Sequence, residues 1–527
     1  MVAYNKSKRT YIGGSLAFTT QYRSHEIKFG GNFERWTARN LSLSPRSQFV
    51  AALNNPDIFR RALAGDPEAL GSFLVAEGTQ QVFTYGYDPF GNENNAAGPD
   101  GPRHPQYYSG YLQDRFEVSD LVINLGVRLD VFDNDDFIFR DPNNPPWDRT
   151  NHSLFLDQLV KKEADVEFSP RLGLAFPVTD RTVFHLQYGK FVQAPSFGNI
   201  YNGSTWYDAI FTGGTSFQAG LIGVGLDPQK TTQYEIGFNQ QFSENAAFDV
   251  TLFYKNIDGQ LQTAKVITDP TSQASSYNVL INGDFATTSG LELSMNLRRT
   301  NRIAAQANYT YSRSLGTGSV PNSAIAGIEL GQELPTLISP LDFNRPHRGS
   351  INFDYRFGKG DGGRLLERTG LNLLMTFSSG HPFTASTGDF GQQDVSLAGE
   401  ITDPRSQRPL QSINGSLTPW NTQLGLRLDR TVDMGPFETN FYLSVQNLTN
   451  RQNVVNVYNR TGNAFNDGFL DDEALSRAIV QANGGAAYVA MHRAINLNGN
   501  GINYSRNTGN ALLGQPRTIR FGARVQF

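Results

Sequence analysis

Apolar and polar residues alternate with a period of two along much of this chain. In the segment 120–132, DLVINLGVRLDVF, every second side chain is apolar and those between are mostly polar or small. The apolar positions are Leu121, Ile123, Leu125, Val127, Leu129 and Val131, and the opposite face carries Asn124, Gly126, Arg128 and Asp130. Successive side chains of a strand point to opposite faces, so the pattern predicts a β-strand with one oily and one wetted face.

The same alternation recurs down to the last residues, RTIRFGARVQF, and predicts about fifteen strands. They begin near residues 9, 25, 106, 120, 166, 181, 231, 246, 277, 302, 347, 366, 418, 437 and 517. Short joins fall near 23–24, 119–120, 179–180, 243–245, 300–301, 359–363 and 432–436. Long segments separate them at about 40–104, 134–165, 193–230, 264–276, 317–345, 382–416 and 450–515.

Short and long connections therefore alternate strictly along the chain. A soluble sandwich has no reason to keep this parity, whereas a membrane barrel has short periplasmic turns and long outer loops. An uncovered sheet edge is not tolerated in hydrocarbon, so the strands are expected to close on one another. The predicted fold is all-β: a transmembrane antiparallel β-barrel with its apolar faces toward lipid and long extracellular loops.

Short helices are expected inside these loops. NNPDIFRRAL and GDPEALGSFLVAEG place Asn55 and Asp66 as N-caps before a proline at the first helical position. LDDEALSRAIVQANGG ends on Gly484 and Gly485, a pattern typical of a helix C-cap. Capped helices favour ordered outer loops.

The amino-acid composition excludes several other classes of protein. Lys+Arg 45 against Asp+Glu 49 gives a formal net charge of −4, without the basic excess of a nucleic-acid-binding protein. The chain contains no Cys, which excludes thiolate metal sites and disulfides. Its apolar runs are too short for a membrane-spanning helix. A membrane would therefore be crossed by strands.

The N-terminus and the strand count predict that residues 1–527 are the C-terminal part of a longer barrel. MVAYNKSKRTYIGG lacks the basic and apolar regions of a signal peptide. Single-chain bacterial barrels use an even number of strands, whereas about fifteen is odd. We therefore expect further strands before the first one.

Several segments, taken together and in order, resemble the barrel of TonB-dependent receptors. They are FSPRLGLAFPVTDRTVFHLQYGKFVQAPSFGNIY (168–201), LDPQKTTQYEIGFNQQFSENAAFDVTLFYKNIDGQL (226–261), TTSGLELSMNLRRTNRIAAQANYTYSRSLG (287–316), LDFNRPHRGSINFDYRFG (341–358) and LSVQNLTNRQNV (443–454). The style is most similar to the large Bacteroidota-type receptors that carry a carboxypeptidase-regulatory-like N-terminal domain.

The resemblance implies a 22-stranded barrel filled by an N-terminal plug domain, preceded by a segment that contacts the energy-transducing TonB complex. Neither the plug nor that segment is recognisable in these residues. The resemblance also implies that the last strand is the signal read by the barrel assembly machinery of the outer membrane. The residues expected to form that signal are Ile519, Phe521, Val525 and Phe527.

Two sets of side chains are candidates for contact with a plug or a ligand. The polar strand faces predict the lumen-lining residues Arg128, Asp130, Arg171, Arg427, Asp429, Arg520 and Arg524. The alternative is a solvated wall held by cross-strand ion pairs. The loop FGNIYNGSTWYDAIFTGGTSF supplies Tyr201, Trp206, Tyr207 and Phe211, which can stack on a ligand ring. The alternative is that these rings pack their own loop or belong to the interfacial aromatic girdle.

No metal, cofactor or catalytic site is predicted. Asp133 to Asp136 offer enough carboxylate for Ca²⁺, but their spacing matches no known calcium loop. His104, His347, His381 and His492 are scattered without zinc-ligand spacing. The sequence assembles no serine, histidine and acid grouping.

The sequence thus favours the barrel of an outer-membrane receptor in a Gram-negative bacterium, taking up a scarce bulky nutrient such as a siderophore, cobalamin, glycan or peptide. Its expected partners are outer-membrane lipid, its plug, the TonB complex and the assembly machinery, and not nucleic acid. A passive porin, a barrel-embedded enzyme and a soluble secreted β-protein remain alternatives.

Overall fold

The structure, a computed structural model, describes most of the chain. The described residues are 4–43, 54–66, 69, 83–88, 90–151, 153–212, 223–321, 323, 328, 337–388 and 407–527. All structural statements below concern these residues.

Fifteen long strands form the body of the molecule, as the alternating pattern predicts. They are β1 (Tyr4–Tyr22), β2 (His25–Leu43), β3 (Gln106–Val118), β4 (Leu121–Asp133), β5 (Asp165–Thr179), β6 (Thr182–Gln193), β7 (Gln229–Ser243), β8 (Ala246–Val266), β9 (Tyr277–Thr300), β10 (Ile303–Gly316), β11 (His347–Arg356), β12 (Thr369–Ser378), β13 (Asn421–Met434), β14 (Phe437–Gln446) and β15 (Thr518–Gln526).

Each long strand pairs antiparallel with the next one in the chain, which makes a single continuous sheet. Two short strands, Phe83–Tyr85 and Ser339–Pro340, pair with the loop ends of β2 and β10 and bring the sheet to 17 strands. Among the described residues, β1 pairs only with β2 and β15 only with β14. Closure of the sheet is therefore not seen within these residues and stays a prediction.

The predicted alternation of turn and loop lengths is confirmed except at one turn: residues 357–368 number 12, more than the 10 of the loop 267–276. Seven connections are short: residues 23–24, 119–120, 180–181, 244–245, 301–302, 357–368 and 435–436. Seven are long: 44–105, 134–164, 194–228, 267–276, 317–346, 379–420 and 447–517. Since the strands are antiparallel neighbours, all short turns lie at one end of the sheet and all long loops at the other.

The two faces of the sheet differ in the way the sequence predicts. On β4 and β5 the paired residues Leu129 and Phe168 are 46% and 60% exposed, because no protein group covers them. Asp130, one position along, is only 7% exposed and lies on the opposite, polar face. Exposed apolar rows of this kind need lipid around them, since water would solvate them poorly.

Helices and short hairpins occupy the long loops. The helices are α1 (Pro56–Leu63), α2 (Phe197–Ile200), α3 (Ser204–Phe211), α4 (Gly363–Leu366, in a short turn), α5 (Glu473–Ala482), α6 (Ala486–Asn496) and α7 (Ile502–Thr508), with 3₁₀ turns at Gly98–Asp100 and Leu156–Gln158. The hairpins pair Phe137–Phe139 with Leu159–Lys161, Trp147–Asp148 with Ser153–Leu154, Pro382–Phe383 with Ser416–Leu417, and Ser386–Gly388 with Gln407–Pro409. None of the described helices has the length and the apolar run needed to cross a membrane.

The helix predictions have mixed outcomes. α1 begins after Asn55, but the Asn55 side chain makes no capping hydrogen bond; its backbone carbonyl accepts the Phe59 N–H instead, at 3.0 Å. The predicted C-cap of α5 is confirmed: Gly484 and Gly485 have φ of 102° and 61°, and Gly485 N donates to Val480 O at 2.7 Å. The predicted helix near 65–78 lies largely outside the described residues.

Most of the buried apolar side chains lie in or beside the long loops. One cluster joins the loops after β4, β6 and β8; its members are Phe137, Phe139, Trp147, Leu154, Trp206, Tyr207, Ile210, Phe211, Ala274, Tyr277 and Val279. A second cluster contains Ala38, Tyr85, Phe197, Ile200, Tyr201, Leu226 and Leu280. A third lies within the loop before β15. The structure therefore has packed cores at the loop end of the sheet.

Candidate functional site

The aromatic residues predicted as a ligand-contact loop are buried in these loop cores. Trp206, Tyr207 and Phe211 on α3 are 2%, 1% and 0% exposed, and Tyr201 is 2% exposed. The Phe211 ring lies 4.9 Å from Tyr277 and 5.9 Å from Phe139, measured between ring centres. This arrangement matches the alternative in which the rings pack their own loop. A direct ligand contact stays a prediction.

Several polar contacts lie beside Tyr201, where the first and second clusters of buried residues meet. The Tyr201 hydroxyl donates to the backbone carbonyl of Asn134, and the Arg103 guanidinium lies 5.4 Å from the ring centres of both Tyr201 and Phe137. The Asp136 carboxylate accepts the Gly225 N–H at 3.0 Å. Burial raises the pKa of Asp136 to about 6 and raises the pKa of Tyr201 above its usual range. These contacts link the loops after β2, β4 and β6.

The four acidic and amide residues 133–136 do not converge on one point. Asp133 pairs with Lys161 Nζ at 2.9 Å, and Asp135 accepts the His104 N–H at 2.7 Å. Asp136 faces Gly225, as described above. Across the described part of the chain, no three His, Asp or Glu side chains are placed together to hold a metal ion.

The four histidines contact different partners. His347 contacts Tyr309 Oη at 2.8 Å and stacks on Trp420, with 5.4 Å between ring centres. His381 Nε2 lies 2.8 Å from Val455 O, and His104 Nδ1 lies 3.3 Å from Thr37 Oγ1.

His492 has a partner that its sequence spacing did not suggest. Its Nε2 lies 2.8 Å from Asp467 Oδ2, and both side chains are almost fully buried in the loop before β15. The pair joins α6 to the segment before α5. Its placement inside the loop indicates a structural contact.

The predicted lumen-lining residues lie on the polar face, where several are paired. Arg128 forms an ion pair with Asp130 two residues along β4, at 2.7 Å. Asp429 on β13 accepts two hydrogen bonds from Arg356 on β11, at 2.9 and 3.0 Å. Gly370 on the intervening strand makes room, because a Cβ there would come within 2.5 Å of the guanidinium.

The other predicted lumen arginines have different surroundings. Arg171 lies 4.9 Å from the ring centre of Phe191, and Arg427 lies 4.5 Å from that of Tyr442. Arg520 and Arg524 on β15 are exposed and make no ion pair with another described residue. Contact with a plug or a ligand stays a prediction for the whole set.

A polar cavity of about 820 Å³ opens on this face at the loop end of β10 to β14. Its lining includes Arg345, Arg348, His381, Gln423 and Gln446, and none of the described residues that line it is acidic. Neither arginine makes an ion pair within the described part of the chain. The cavity therefore offers two available guanidinium groups to an anionic or oxygen-rich group.

Sequence reasoning did not single out this pair of arginines. Arg345 and Arg348 stand in NRPHRGS, where only Arg348 follows the alternating pattern of a strand. Local sequence carries no signal for the pair, because the cavity that they line forms only where β10 to β14 stand side by side.

The comparisons with known proteins agree with this architecture. The sequence model of the TonB dependent receptor-like β-barrel matches residues 2–448. This chain belongs to the TonB-dependent receptor family. No match is found among curated proteins.

Solved receptor structures resemble the chain at low sequence identity. FpvA of P. aeruginosa, bound to heterologous pyoverdines, is 11% identical with a TM-score of 0.50, covering 99% of this chain and 48% of FpvA. The FrpB iron transporter from Neisseria meningitidis is 13% identical with a TM-score of 0.49, covering 85% of this chain and 52% of FrpB. The chain spans about half the length of these solved proteins. At such identity the likeness to FpvA concerns the fold alone.

Proposed function

We propose that this chain forms the wall of an outer-membrane receptor that takes up a scarce, bulky nutrient with energy transmitted by TonB. Members of the family are outer-membrane transporters of Gram-negative bacteria and not enzymes. The observation that carries the proposal is the alternation of seven turns, six of them of two residues, with seven loops of 10 or more residues in a sheet whose exposed face is apolar. This is the form of a barrel wall with all its large loops outside the cell.

We assign different roles to the loop end of the sheet and to the lumen. The loop end holds packed cores, which keep the loops in a defined shape, and the polar cavity with Arg345 and Arg348. We propose that the ligand is held there and that a plug domain, of the kind such receptors carry, occupies the lumen below. The buried rings of Trp206, Tyr207 and Phe211 then shape the loops.

The nutrient is a member of the classes that such receptors carry: a siderophore, cobalamin, a glycan or a peptide. The pyoverdine complex of FpvA makes a ferric chelate the first ligand to test. Two guanidinium groups that form no ion pair with a described residue favour a ligand rich in carboxylate or other anionic oxygens. No catalytic step is part of the proposal.

Uptake by cells tests the proposal directly. Cells that express the full-length receptor should accumulate one ligand from a panel of ferric chelates, cobalamin, glycans and peptides, and only when TonB is present. Replacing Arg345 and Arg348 with Gln should weaken binding of an anionic ligand. Arg181→Gln, in the two-residue turn 180–181 at the other end of the sheet, is the matched control.

Electrical conductance separates this function from a passive porin. The purified full-length protein, inserted in a planar bilayer, should stay closed because a plug blocks the lumen. A steady open conductance, or uptake that continues without TonB, would contradict the receptor function and favour a porin.

We also propose that Ile519, Phe521, Val525 and Phe527 are the residues read by the barrel assembly machinery. All four side chains are exposed on β15 or just after it, between 53% and 100%. Their exposure on the outward face of β15 is what a binding partner would need.

A further inference from the structure

The turn between β11 and β12 differs from the other six short turns. It comprises residues 357–368 and contains the one-turn helix α4, whereas the other six contain two residues each. Leu365 and Leu366 at the end of α4 are 81% and 45% exposed. A large apolar pair at the tip of a turn is unfavourable in water and needs a cover.

Arg302 fastens this turn to the outward, lipid-facing side of the sheet. Tyr355 is outward because it pairs with Leu371 and Ile303, which belong to the exposed apolar rows. The Phe357 ring contacts Tyr355, with 5.4 Å between centres, and the Arg302 guanidinium lies 4.7 Å from the Phe357 ring centre. Arg302 also donates two hydrogen bonds to Asp361, at 2.8 and 2.6 Å.

Two further contacts hold α4 on the same side. Arg430 has the outward parity of Leu428 on β13, and its Nη2 donates to the Arg364 carbonyl at 2.6 Å. Gly362, with φ of 77°, lets α4 fold back onto Phe357; a Cβ at this position would come within 2.5 Å of the Phe357 ring. The apolar tip therefore continues the lipid-facing surface.

The depth of the turn follows from the aromatic residues on β11. His347, stacked on Trp420, marks the loop end of the outward face, and Tyr355 lies eight positions further. Eight residues cover about 27 Å along a strand, or about 20 Å across the membrane at a tilt of about 40°. This is close to the height of the apolar band of such barrels, about 25 Å. The turn therefore begins where the hydrocarbon ends.

The charges of the turn suit phospholipid headgroups. Asp361 is paired with Arg302, and Glu367 accepts the Gly360 N–H at 2.6 Å. Lys359 and Arg364 make no ion pair with a described residue, and neither does Glu367, so the turn has two positive charges and one negative charge outside ion pairs beside the exposed leucines. Cations flanking an apolar tip are typical of segments that lie in a membrane interface.

We propose that residues 357–368 are an interfacial anchor. Leu365 and Leu366 enter the inner leaflet of the outer membrane, while Lys359 and Arg364 bind the phosphates of its phospholipids. The anchor fixes the height of the barrel in the membrane on one side of its wall. This inference rests on the membrane location within the proposed function and is independent of any ligand.

Site-directed spin labelling tests the anchor in the full-length protein. The 527 residues contain no Cys, so a nitroxide on Leu365→Cys reports on one position of this chain. In vesicles of phosphatidylcholine and phosphatidylglycerol, its accessibility to oxygen and to a water-soluble nickel chelate should place it about 5–10 Å below the phosphates. The label should lie deeper in these vesicles than in vesicles of phosphatidylcholine alone. Removing the two cations, by Lys359→Gln with Arg364→Gln, should abolish that difference in depth.

Two control positions separate the possible failures. A label on Glu244→Cys, in a two-residue turn at the same end, should be fully accessible to the nickel chelate. A label on Met295→Cys, on the outward face of β9, should lie in hydrocarbon. The anchor is wrong if the Leu365 label matches the Glu244 label while the Met295 label is in lipid. If the Met295 label is also in water, the membrane location itself is wrong. If the Leu365 label keeps its depth in the Lys359→Gln, Arg364→Gln variant, the contact with phosphates is wrong.

Discussion

The loop core around Phe211 should open separately from the strands beneath it. Phe211 is fully buried and contacts the ring of Tyr207 on its own helix. It also contacts the rings of Phe139 and Trp147 in the loop after β4 and of Tyr277 at the start of β9. Truncating a buried Phe to Ala costs about 3–5 kcal/mol, from the lost transfer energy and the cavity that remains. If the loops open as a unit, that cost increases their opening constant by roughly two to three and a half powers of ten.

Hydrogen–deuterium exchange with mass spectrometry measures this opening in the full-length protein. In Phe211→Ala, exchange should accelerate by that factor in the loops after β4, β6 and β8, while the strand amides keep their protection. The matched control is Phe155→Ala, because Phe155 belongs to the same set of loops but is 36% exposed. Unchanged loop exchange, or equal acceleration in loops and strands, would show that the loops have no core of their own.

Three further results are expected. The pKa of Asp136 is raised to about 6 in the folded loop, whereas an open loop releases this proton from about pH 4. Protection of the loop amides should therefore be greatest below about pH 4 and fall as the pH rises to about 6. Asp136→Asn should flatten this dependence of protection on pH. Asp429→Ala should lower the free energy of unfolding in detergent by about 1–2 kcal/mol, less than for a fully buried pair because Arg356 is 37% exposed; an equal loss in the Arg356→Ala background would show that the two side chains are not coupled. Deletion of Phe527 should reduce the heat-modifiable band in outer-membrane fractions without changing refolding in detergent, and normal amounts in the membrane would remove Phe527 from the assembly signal.

The strands were predictable from sequence because apolar and polar residues alternate with a period of two along their whole length. The expected starts near 106, 246, 277, 347 and 437 coincide with the first residues of β3, β8, β9, β11 and β14. The largest errors are at β1, which begins at Tyr4 and not near 9, and at β12 and β13, where the apolar residues before the strand resembled its beginning. Leu366, for example, is the predicted start of β12 but belongs to α4.

The loop contacts were not predictable, since they join residues that have no periodic relation. Ser204 donates to Asp100, 104 positions away, and Tyr277 donates to the Pro142 carbonyl, 135 positions away. Burial of the α3 rings depends on the neighbouring loops, which local sequence does not describe. The cavity with Arg345 and Arg348 likewise exists only because β10 to β14 stand side by side.

These distant loop contacts have a consequence for surface recognition. The loops can meet only after the strands that carry them are neighbours, so their packed form arises late in folding and is absent from the unfolded chain. A single stretch of outer surface then combines residues from several loops. Antibodies raised against the native cell surface should therefore bind discontinuous epitopes and fail on denatured blots, and antibodies against isolated loop peptides should bind intact cells poorly.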